Sequence, residues 1–453
     1  MSSLYYALGV IIFFAAILAS IGLHELGHMI PAKAYGGKVT QYFIGFGPTV
    51  WSTQRGETEY GVKAIPLGGY VKIVGMLPPG AEQLADEVTY DQDGNRVTKI
   101  RKSNTGMFTQ LISDARAAEW ETITPADEGR LFYKMAWWKK VAVMAGGPSV
   151  NIAIAFFIFW GVFGLYGNPQ DRVVDSGQPV ISSVSDCVIP VQENRVTCTD
   201  DDPVSPAAAA GLEPGDVITS FNGVAVTSWE QMRELIRGNA DGEAHLEWER
   251  DGVAMSGDTN TTVELRPDSE EDQTLREVGF LGVTPTTHLV TGGPLYTFVQ
   301  MGYTAEQTVE ALVHLPQRVW GVAKAIVGVQ ERDPESPVSI VGGSRLAGET
   351  VSLENFPVEE KAVFLLLLIA GFNFFIGAFN FIPLLPLDGG HIASALWEAV
   401  RRGVARLRGR PDPGFVDAAK LLPVAYVMAS AMLVMSLVLI VGDLVVPLHL
   451  VTS

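Results

Sequence analysis

Charged residues are scarce in this sequence, and cysteine is nearly absent. Only 18% of the 453 residues are charged, against about 25% in average soluble domains, while 47% are hydrophobic. The two cysteines are too few for a small disulfide-rich scaffold, and the hydrophobic content excludes a disordered chain. No domain is basic enough to neutralise nucleic-acid phosphates, so no nucleic-acid partner is expected. A purely soluble enzyme is not expected either, because the apolar residues are concentrated in long blocks.

The negative charge is confined to one part of the chain. Residues 168–360 contain 32 acidic and 11 basic residues, a net charge of −21, whereas the rest of the chain contains 18 acidic and 21 basic residues. The basic excess lies in connections beside the apolar blocks, where lysine and arginine orient membrane proteins. The charge distribution therefore separates one acidic segment from a membrane-associated remainder.

Four uncharged apolar blocks are long enough to span a bilayer, which requires about 20 residues. We expect membrane helices at 4–23, 141–166, 362–387 and 421–440. The first block could instead be a secretory signal peptide, but no basic segment precedes it and no clear cleavage site follows it. The stretch 295–329 carries charges along its length, so an amphipathic surface helix is the better interpretation there.

Lysine and arginine counts orient these helices. Two connections are rich in lysine and arginine, namely residues 36–140 and the connection between the third and fourth blocks, and both should be cytoplasmic. The acidic segment and both termini should then be extracytoplasmic. Cys187 and Cys198 both fall in the acidic segment, where a disulfide can form and persist. We expect them to be bridged, and two unpaired cysteines are the alternative.

The fold class predicted from these features is a polytopic α-helical membrane protein with four transmembrane helices, a small cytoplasmic membrane-associated β-hairpin and an extracytoplasmic α+β domain. Its expected parts are a first membrane helix in 1–36, a cytoplasmic segment in 37–136, a second membrane helix in 137–167, the extracytoplasmic domain in 168–290, an amphipathic helix and linker in 291–361, a third membrane helix in 362–390, a basic cytoplasmic loop in 391–420, and a fourth membrane helix with a short external tail in 421–453.

The extracytoplasmic domain has a recognisable pattern. A Pro-Ala-Ala, Gly-Leu, Gly-Asp, Asn-Gly series runs through 206–223, and Ser228 is a suitable N-cap for a helix over 229–237. The pattern resembles a bacterial PDZ domain in permuted order. The resemblance implies a groove beside that helix in which an extended peptide, such as a peptide C-terminus, pairs with a strand edge. The groove strand would contain Gly279, Phe280, Leu281, Gly282 and Val283. A β-rich spacer with an empty groove is the alternative.

The cytoplasmic connection opens with short strands separated by glycines. Residues 60–73 alternate apolar and polar side chains and include a Gly-Gly-Tyr-Val sequence at 68–71, which predicts a hairpin or small sheet. A hairpin this apolar can enter the membrane if protein or a cavity shields its backbone. A polar insertion follows at 81–130, with a predicted turn at 91–95.

The first apolar block ends in His24-Glu25-Leu26-Gly27-His28. Residues four apart lie on one face of a helix, so the two imidazoles can bind one zinc ion, and Glu25 is left to act as a general base on water. Ionisable groups in a membrane helix cost about 2.5–3.5 kcal/mol each and usually mark function. A helix end that merely emerges into water is the alternative.

Catalytic zinc requires a third protein ligand. Asp388 ends the third apolar block within an Asn-x-x-Pro-x-x-Pro-Leu-Asp-Gly-Gly sequence at 380–390, at a depth similar to that of His28. The prolines cannot continue a regular helix, and the paired glycines allow a close backbone approach to a metal. A helix cap is the alternative role for Asp388, and His391 is a weaker rival ligand.

These motifs, taken in order, resemble the site-2 proteases, the M50-type intramembrane zinc metalloproteases, and among them the bacterial members with a single PDZ domain. The resemblance covers nearly the whole chain. It implies zinc held by His24, His28 and Asp388, with Glu25 as general base. It also implies a substrate-binding set formed by Asn380, Pro383, Gly68, Gly69, Tyr70 and Val71. Asn151, in a further family pattern, either holds substrate or makes an interhelical hydrogen bond.

The predicted function is therefore an intramembrane zinc endopeptidase of the bacterial plasma membrane, with its active site toward the cytoplasmic side. By resemblance, its substrates in the lipid bilayer are single-pass transmembrane proteins such as anti-sigma factors already cut outside the membrane, and remnant signal peptides. A catalytically inactive PDZ-bearing scaffold would lack a ligand or the base, and a metal transporter would show repeated halves. The sequence shows neither feature.

Overall fold

A computed structural model describes residues 2–79, 89–90, 96–97, 107–121, 123–174, 178–190, 198–267, 275–353 and 356–448. The turn predicted at 91–95 lies outside these residues. The chain divides into two compact units, the first formed by Met1–Val162 with Gly293–Leu450 and the second containing Phe163–Gly292.

Ten α-helices lie within the described residues. They are α1 (Ser2–Ala34), α2 (Met107–Trp120), α3 (Trp137–Leu165), α4 (Pro206–Ala210), α5 (Trp229–Gly238), α6 (Pro294–Ile326), α7 (Ile340–Ser352), α8 (Val358–Asn380), α9 (Asp388–Leu407) and α10 (Leu422–Val445). Four segments of the described chain are long and apolar enough to span a membrane, namely Ser3–Ala34, Trp137–Leu165, Val358–Asn380 and Ala418–Val445. The number of spans agrees with the sequence prediction.

Two long, bent strands follow α1 and fold into four antiparallel segments. The two strands are β1 (Val39–Arg55) and β2 (Thr58–Ile73). A separate pair of two-residue strands, β3 (Thr89–Tyr90) and β4 (Arg96–Val97), lies further along the chain. Residues 41–44 pair with 59–62 on one side and with 69–72 on the other, while 51–55 pair with 58–62. The segment 69–73 therefore pairs on one side only among the described strands, and it forms an edge of the sheet.

The sheet is fixed to the helices at its base. The hydroxyl of Tyr42 donates a hydrogen bond of 2.8 Å to the carbonyl of Gly22 in α1. Lys38, just before β1, donates to both carboxylate oxygens of Asp127 at 2.8 and 3.0 Å. These hydrogen bonds from Lys38 lower the pKa of Asp127 to about 2, so the pair stays ionised at neutral pH. The base of the sheet is thus held by contacts to two neighbouring segments.

The region after α8 differs from the sequence prediction. The third membrane helix was expected within 362–390, but α8 begins at Val358 and ends at Asn380, and an irregular segment precedes α9. Pro383 and Pro386 in that segment lack the N–H groups that a continuing helix requires. The expected basic connection over 391–420 contains a helix for most of its length, because α9 extends to Leu407.

The expected linker in 291–361 also contains a second helix, α7, which packs tightly on α1. A Cβ added at Gly9 of α1 would lie 2.4 Å from the carbonyl oxygen of Ala347, so the two helices approach at their backbones. The carboxylate of Asp443 near the end of α10 accepts hydrogen bonds from the N–H groups of Ser339 and Gly342, at 2.7 and 3.2 Å. It also forms a buried ion pair with Arg332 at 2.7 Å. These contacts connect the start of α7 to α10.

The second unit is built from short strands around an aromatic and aliphatic core. Its strands are β5 (Asn168–Val174), β6 (Ile181–Val184), β7 (Val217–Phe221), β8 (Val224–Ala225), β9 (Glu243–Arg250), β10 (Val253–Asn260), β11 (Thr262–Pro267), β12 (Leu275–Phe280), β13 (Val283–Pro285) and β14 (Thr287–Val290). A four-stranded sheet has the order β10-β9-β7-β8, and Phe221, Met232 and Trp248 are buried between it and α5. The side chain of Ser228 caps α5 by accepting from the N–H of Gln231. Cys187 and Cys198 are joined by a disulfide.

The five residues of the predicted groove lie at the junction of β12 and β13. The side chain of Leu281 is 1% exposed and belongs to the core, so at this position only the backbone could face a peptide. A Cβ at Gly279 would meet the carbonyl oxygen of Ile236 at 2.1 Å, which places this part of β12 directly against α5. The side chains of Phe280 and Val283 are half-buried, and Gly282 has a positive φ of 90°. The groove itself stays a prediction.

Candidate metal centre

Two histidines and one aspartate converge at the junction of α1 and α9. His24 and His28 lie one turn apart on α1, and their Nε2 atoms are 3.2 Å from each other. Oδ2 of Asp388, the first residue of α9, lies 3.3 Å from each of these nitrogens. Among the described residues, this is the one cluster of three His, Cys, Asp or Glu side chains that could hold a metal ion.

The donor set and its spacing fit zinc. Ligands at 2.0–2.1 Å from a tetrahedral zinc lie about 3.3–3.4 Å apart along the edges of the tetrahedron. The three separations of 3.2, 3.3 and 3.3 Å correspond to three such edges. Two imidazole nitrogens and one carboxylate oxygen are a typical catalytic zinc set, which leaves a fourth position for water or substrate. His391 is not part of this cluster.

The other ring nitrogen of each histidine has its own acceptor. Nδ1 of His28 lies 2.8 Å from the carbonyl oxygen of Val143, which can only accept, so this nitrogen carries the proton. Nδ1 of His24 lies 2.6 Å from Oδ1 of Asn151 in α3. With both Nδ1 atoms protonated, both Nε2 lone pairs point at the shared position, as metal binding requires.

A chain of buried amides sets the orientation of Asn151. Nδ2 of Asn373 in α8 donates to the carbonyl of Ile369 at 2.9 Å, so its Oδ1 is left as an acceptor. Nδ2 of Asn151 donates to that oxygen at 3.1 Å, which turns the Oδ1 of Asn151 toward His24. Asn151 and Asn373 are both fully buried. From the sequence, Asn151 could either hold substrate or make an interhelical hydrogen bond. In the structure it belongs to a chain of hydrogen bonds between helices that ends on His24, a predicted metal ligand.

We predict that Asn373→Leu weakens zinc binding by 10- to 100-fold, the loss typical when an outer partner of a metal-binding histidine is removed. Without the Asn373 oxygen, the amide of Asn151 is free to rotate and the proton position on His24 is no longer fixed. Competition with a fluorescent zinc chelator measures the affinity. Gly371→Ala on the same helix is the control, because a Cβ there meets open space. An unchanged affinity in Asn373→Leu would rule out the orienting role.

Glu25 lies beside the metal cluster but is not part of it. Its carboxylate lies near the backbone of Val71 in the edge segment of the sheet. A Cβ added at Gly69 would lie 3.0 Å from Cγ of Glu25, so the strand backbone passes directly over this side chain. The predicted base and the predicted substrate-pairing strand are therefore in contact.

Gly147 of α3 provides the opposite wall of the metal cluster. A Cβ at this position would lie 2.3 Å from Nε2 of His28 and 2.8 Å from Nε2 of His24, where a metal has to sit. Sequence reasoning assigned no role to Gly147. A glycine pair in the middle of an apolar helix block was the available signal, because glycine there lets another group approach the backbone closely.

One cavity of about 410 Å³ connects these groups. Besides the three candidate ligands and Glu25, it is lined by Gly68, Gly69, Tyr70, Val71, Asn151, Asn380 and His391. Pro383 does not line it, whereas Pro386 does. Ile21, Ile73, Met76, Met144 and Ile376 complete the lining. Apart from Ile73, at the end of the predicted hairpin, sequence reasoning gave none of them a role. The side chain of Asn380 donates to the carbonyl of Ile376 at 3.0 Å within its own helix.

This arrangement provides a three-ligand metal position, an adjacent carboxylate and a strand edge on one wall. A polypeptide segment laid along the strand edge would have its backbone next to both the carboxylate and the metal position. Those are the parts required to hydrolyse a peptide bond with a metal and a general base.

Comparison with known proteins agrees with this chemistry. The model of peptidase family M50 matches residues 12–411. Zinc metalloprotease Rip1 of Mycobacterium tuberculosis is 33% identical over 98% of this chain and 99% of its own length, and Rip1 of Mycolicibacterium smegmatis is 34% identical with the same coverage. Zinc metalloprotease RasP of Geobacillus kaustophilus is 25% identical over 86% of this chain and 90% of its own.

Among solved structures, the PDZ domain of an SdrC-like protein from Listeria monocytogenes is 19% identical and covers 25% of this chain and 92% of that one. Its TM-score of 0.16 is too low to establish a shared fold. The family match and the full-length relatives confirm the resemblance drawn from the motifs, the zinc cofactor and the metalloendopeptidase activity. The chain therefore belongs to peptidase family M50 and is a zinc metalloprotease of the site-2 type.

Proposed function

We propose that this chain cleaves transmembrane segments of single-pass proteins inside the bilayer, with zinc held by His24, His28 and Asp388. One observation carries the proposal: the candidate ligands, Glu25 and the edge segment 69–73 line one cavity to which α1, α3 and α8 all contribute residues. All three helices are long and apolar enough to span a membrane. A protease for soluble peptides has no need to build its site from such helices.

Zinc, when bound, would act as a Lewis acid that activates water and polarises the scissile carbonyl. Glu25 takes the proton from the attacking water and returns it to the leaving amine, as a general base and then a general acid. The strand backbone at Gly69 and Val71 packs against the Glu25 side chain and limits its movement during this transfer. The Nδ1–H groups of both histidines, tied to Asn151 and to the Val143 carbonyl, keep the imidazoles in their ligating orientation.

The substrate has to be unwound first, because the peptide groups of a helix are engaged in its own hydrogen bonds. The edge segment 69–73 can pair with the opened chain as an added strand, which aligns it past Glu25. Asn380 can exchange its bond to the Ile376 carbonyl for a substrate backbone group, since its amide offers both a donor and an acceptor. Pro383 acts indirectly: it lacks the N–H that a continuing helix requires, so α8 ends at Asn380 on the wall of the cavity.

The proposed setting is the bacterial plasma membrane, with the basic connections in the cytoplasm and the second unit outside. Val50 and Trp51 at the far end of the sheet are 71% and 60% exposed, which supports insertion of this apolar tip into the membrane. The proposed substrates are anti-sigma factors already cut outside and remnant signal peptides. The second unit, as a PDZ-type module, would filter substrates by size or dock their ends.

We predict that chelation stops cleavage of a model single-pass substrate by the purified protein in proteoliposomes. Removing zinc with 1,10-phenanthroline should abolish product formation, and added zinc should restore it, because the ligands are preorganised by their own hydrogen bonds. Product is measured by gel and mass spectrometry. Cleavage by protein shown to be free of zinc would contradict the proposal.

The same preparation separates the alternatives. A scaffold would bind the substrate without cutting it, and a transporter would move zinc into sealed vesicles. We expect cleavage and no zinc flux.

A further inference from the structure

Helix α9 exposes a continuous apolar stripe. Its exposed large apolar side chains are Leu396, Trp397, Val400, Val404 and Leu407. At 3.6 residues per turn, these five positions fall within about 100° of one another around the helix axis. Trp397 and Leu407 are 58% and 90% exposed. Nothing in the described part of the chain covers this stripe.

The charged residues of α9 differ in exposure, and Arg401 and Arg402 are half-buried, with Arg402 3.3 Å from Glu398. The two acidic residues of the helix face inward: Asp388 lies at the metal cluster, and Glu398 is 1% exposed and paired with Lys140 at 2.8 Å. Arg406, Arg408 and Arg410 at the end of the helix are exposed. The outer surface of α9 therefore combines an apolar stripe with positive charge, which is the pattern of helices that lie in the interface of an anionic membrane.

The Glu398–Lys140 pair also sets the height of α9. Lys140 lies in the first turn of α3, next to Trp137 and Trp138, which are 41% and 47% exposed. Tryptophans at the end of a spanning helix lie at the level of the lipid headgroups. The ion pair therefore holds the middle of α9 at the level of the lipid headgroups. At this level one face of the helix can contact acyl chains while its arginines reach headgroups.

We propose that α9 is an interfacial helix that binds an anionic lipid surface through its stripe and through Arg406, Arg408 and Arg410. The lipid surface is favoured as occupant by charge complementarity and by continuity with the membrane, since α9 begins shortly after α8 ends. The inference rests on the proposed membrane placement of the four spans and does not depend on proteolysis. Because Asp388 is the first residue of α9, binding of lipid by this helix also steadies the third candidate ligand.

The test is a depth measurement in the full-length Glu25→Gln chain, so that catalysis plays no part. Val400→Cys, labelled with a nitroxide, is reconstituted in phosphatidylcholine vesicles with and without phosphatidylglycerol. We expect collisions of the label with oxygen to exceed those with an aqueous nickel complex several-fold, and phosphatidylglycerol to increase this ratio. Val253→Cys is the control, because Val253 is 62% exposed in the second unit, and it should show the opposite ratio.

A second variant separates the charges from the stripe. Replacing Arg406, Arg408 and Arg410 by glutamine should remove the response to phosphatidylglycerol while zinc content stays at the parental level. Water-like accessibility at residue 400 in anionic vesicles would overturn the proposal. So would dipolar broadening between labels, which would show that a second copy covers the stripe, or an unchanged lipid response in the triple variant. Loss of proteolysis alone would bear on the proposed function and leave this inference unaffected.

Discussion

Gly147→Ala should purify without zinc and should not cleave a transmembrane substrate. The added methyl group would lie 2.3 Å from Nε2 of His28 and 2.8 Å from Nε2 of His24, inside the volume that a metal and its bonds occupy. Neither imidazole can retreat easily, because each is anchored through Nδ1, one to Asn151 and the other to the Val143 carbonyl. Blocking the position between these ligands prevents metal binding, and the reaction that depends on the metal is lost with it.

Metal analysis and a cleavage assay on the same preparation check this prediction. Gly161→Ala is the matched control, since it makes the same change on the same helix where a Cβ meets nothing within 4 Å. It should keep wild-type zinc and activity. Full zinc occupancy in Gly147→Ala would mean that the metal does not sit between the two Nε2 atoms.

Glu25→Gln should keep its zinc and lose cleavage by at least 100-fold. Glutamine has nearly the same shape as glutamate, but it cannot take a proton from water. General acid–base catalysis typically contributes about 10²- to 10⁴-fold, so the loss should fall in that range or above it. The ligand cluster excludes Glu25, so zinc binding should be unaffected.

Single-turnover cleavage rates and zinc content are the measurements here. Glu306→Gln, an identical change at an exposed position of α6, should behave as wild type. If Glu25→Gln cleaved as fast as the wild type, Glu25 would not be the base. If it lost zinc as well, its role would be to maintain the site.

The parts of the site that could be predicted are those encoded locally. His24 and His28 are four residues apart on a helix, so their shared face follows from helix geometry alone. Asp388 could be proposed because few acidic residues lie near the ends of the apolar blocks. Its expected depth in the membrane was similar to that of His28, and in the structure its carboxylate lies 3.3 Å from both imidazoles. The four spans follow from block length and the absence of charge.

The parts that could not be predicted depend on packing between distant segments. Asn373 reaches the site through Asn151 on another helix, and only its position as an amide within an apolar block hinted at a role. Basic composition suggested a loop where α9 forms, because the pairing of Glu398 with Lys140 of α3 is not visible along the chain. The PDZ resemblance places Leu281 in the groove strand, and the inward direction of its side chain does not follow from that resemblance.

X-ray absorption at the zinc K-edge of the purified wild-type chain tests the central claim most directly. The predicted spectrum shows one zinc per chain with two imidazole nitrogens and a carboxylate oxygen at about 2.0–2.2 Å, and no sulfur. The imidazole contribution should fall in His24 and His28 variants that still retain metal. A sulfur shell near about 2.3 Å, fewer than two imidazoles in the wild type, or protein that cleaves substrate without zinc would contradict it.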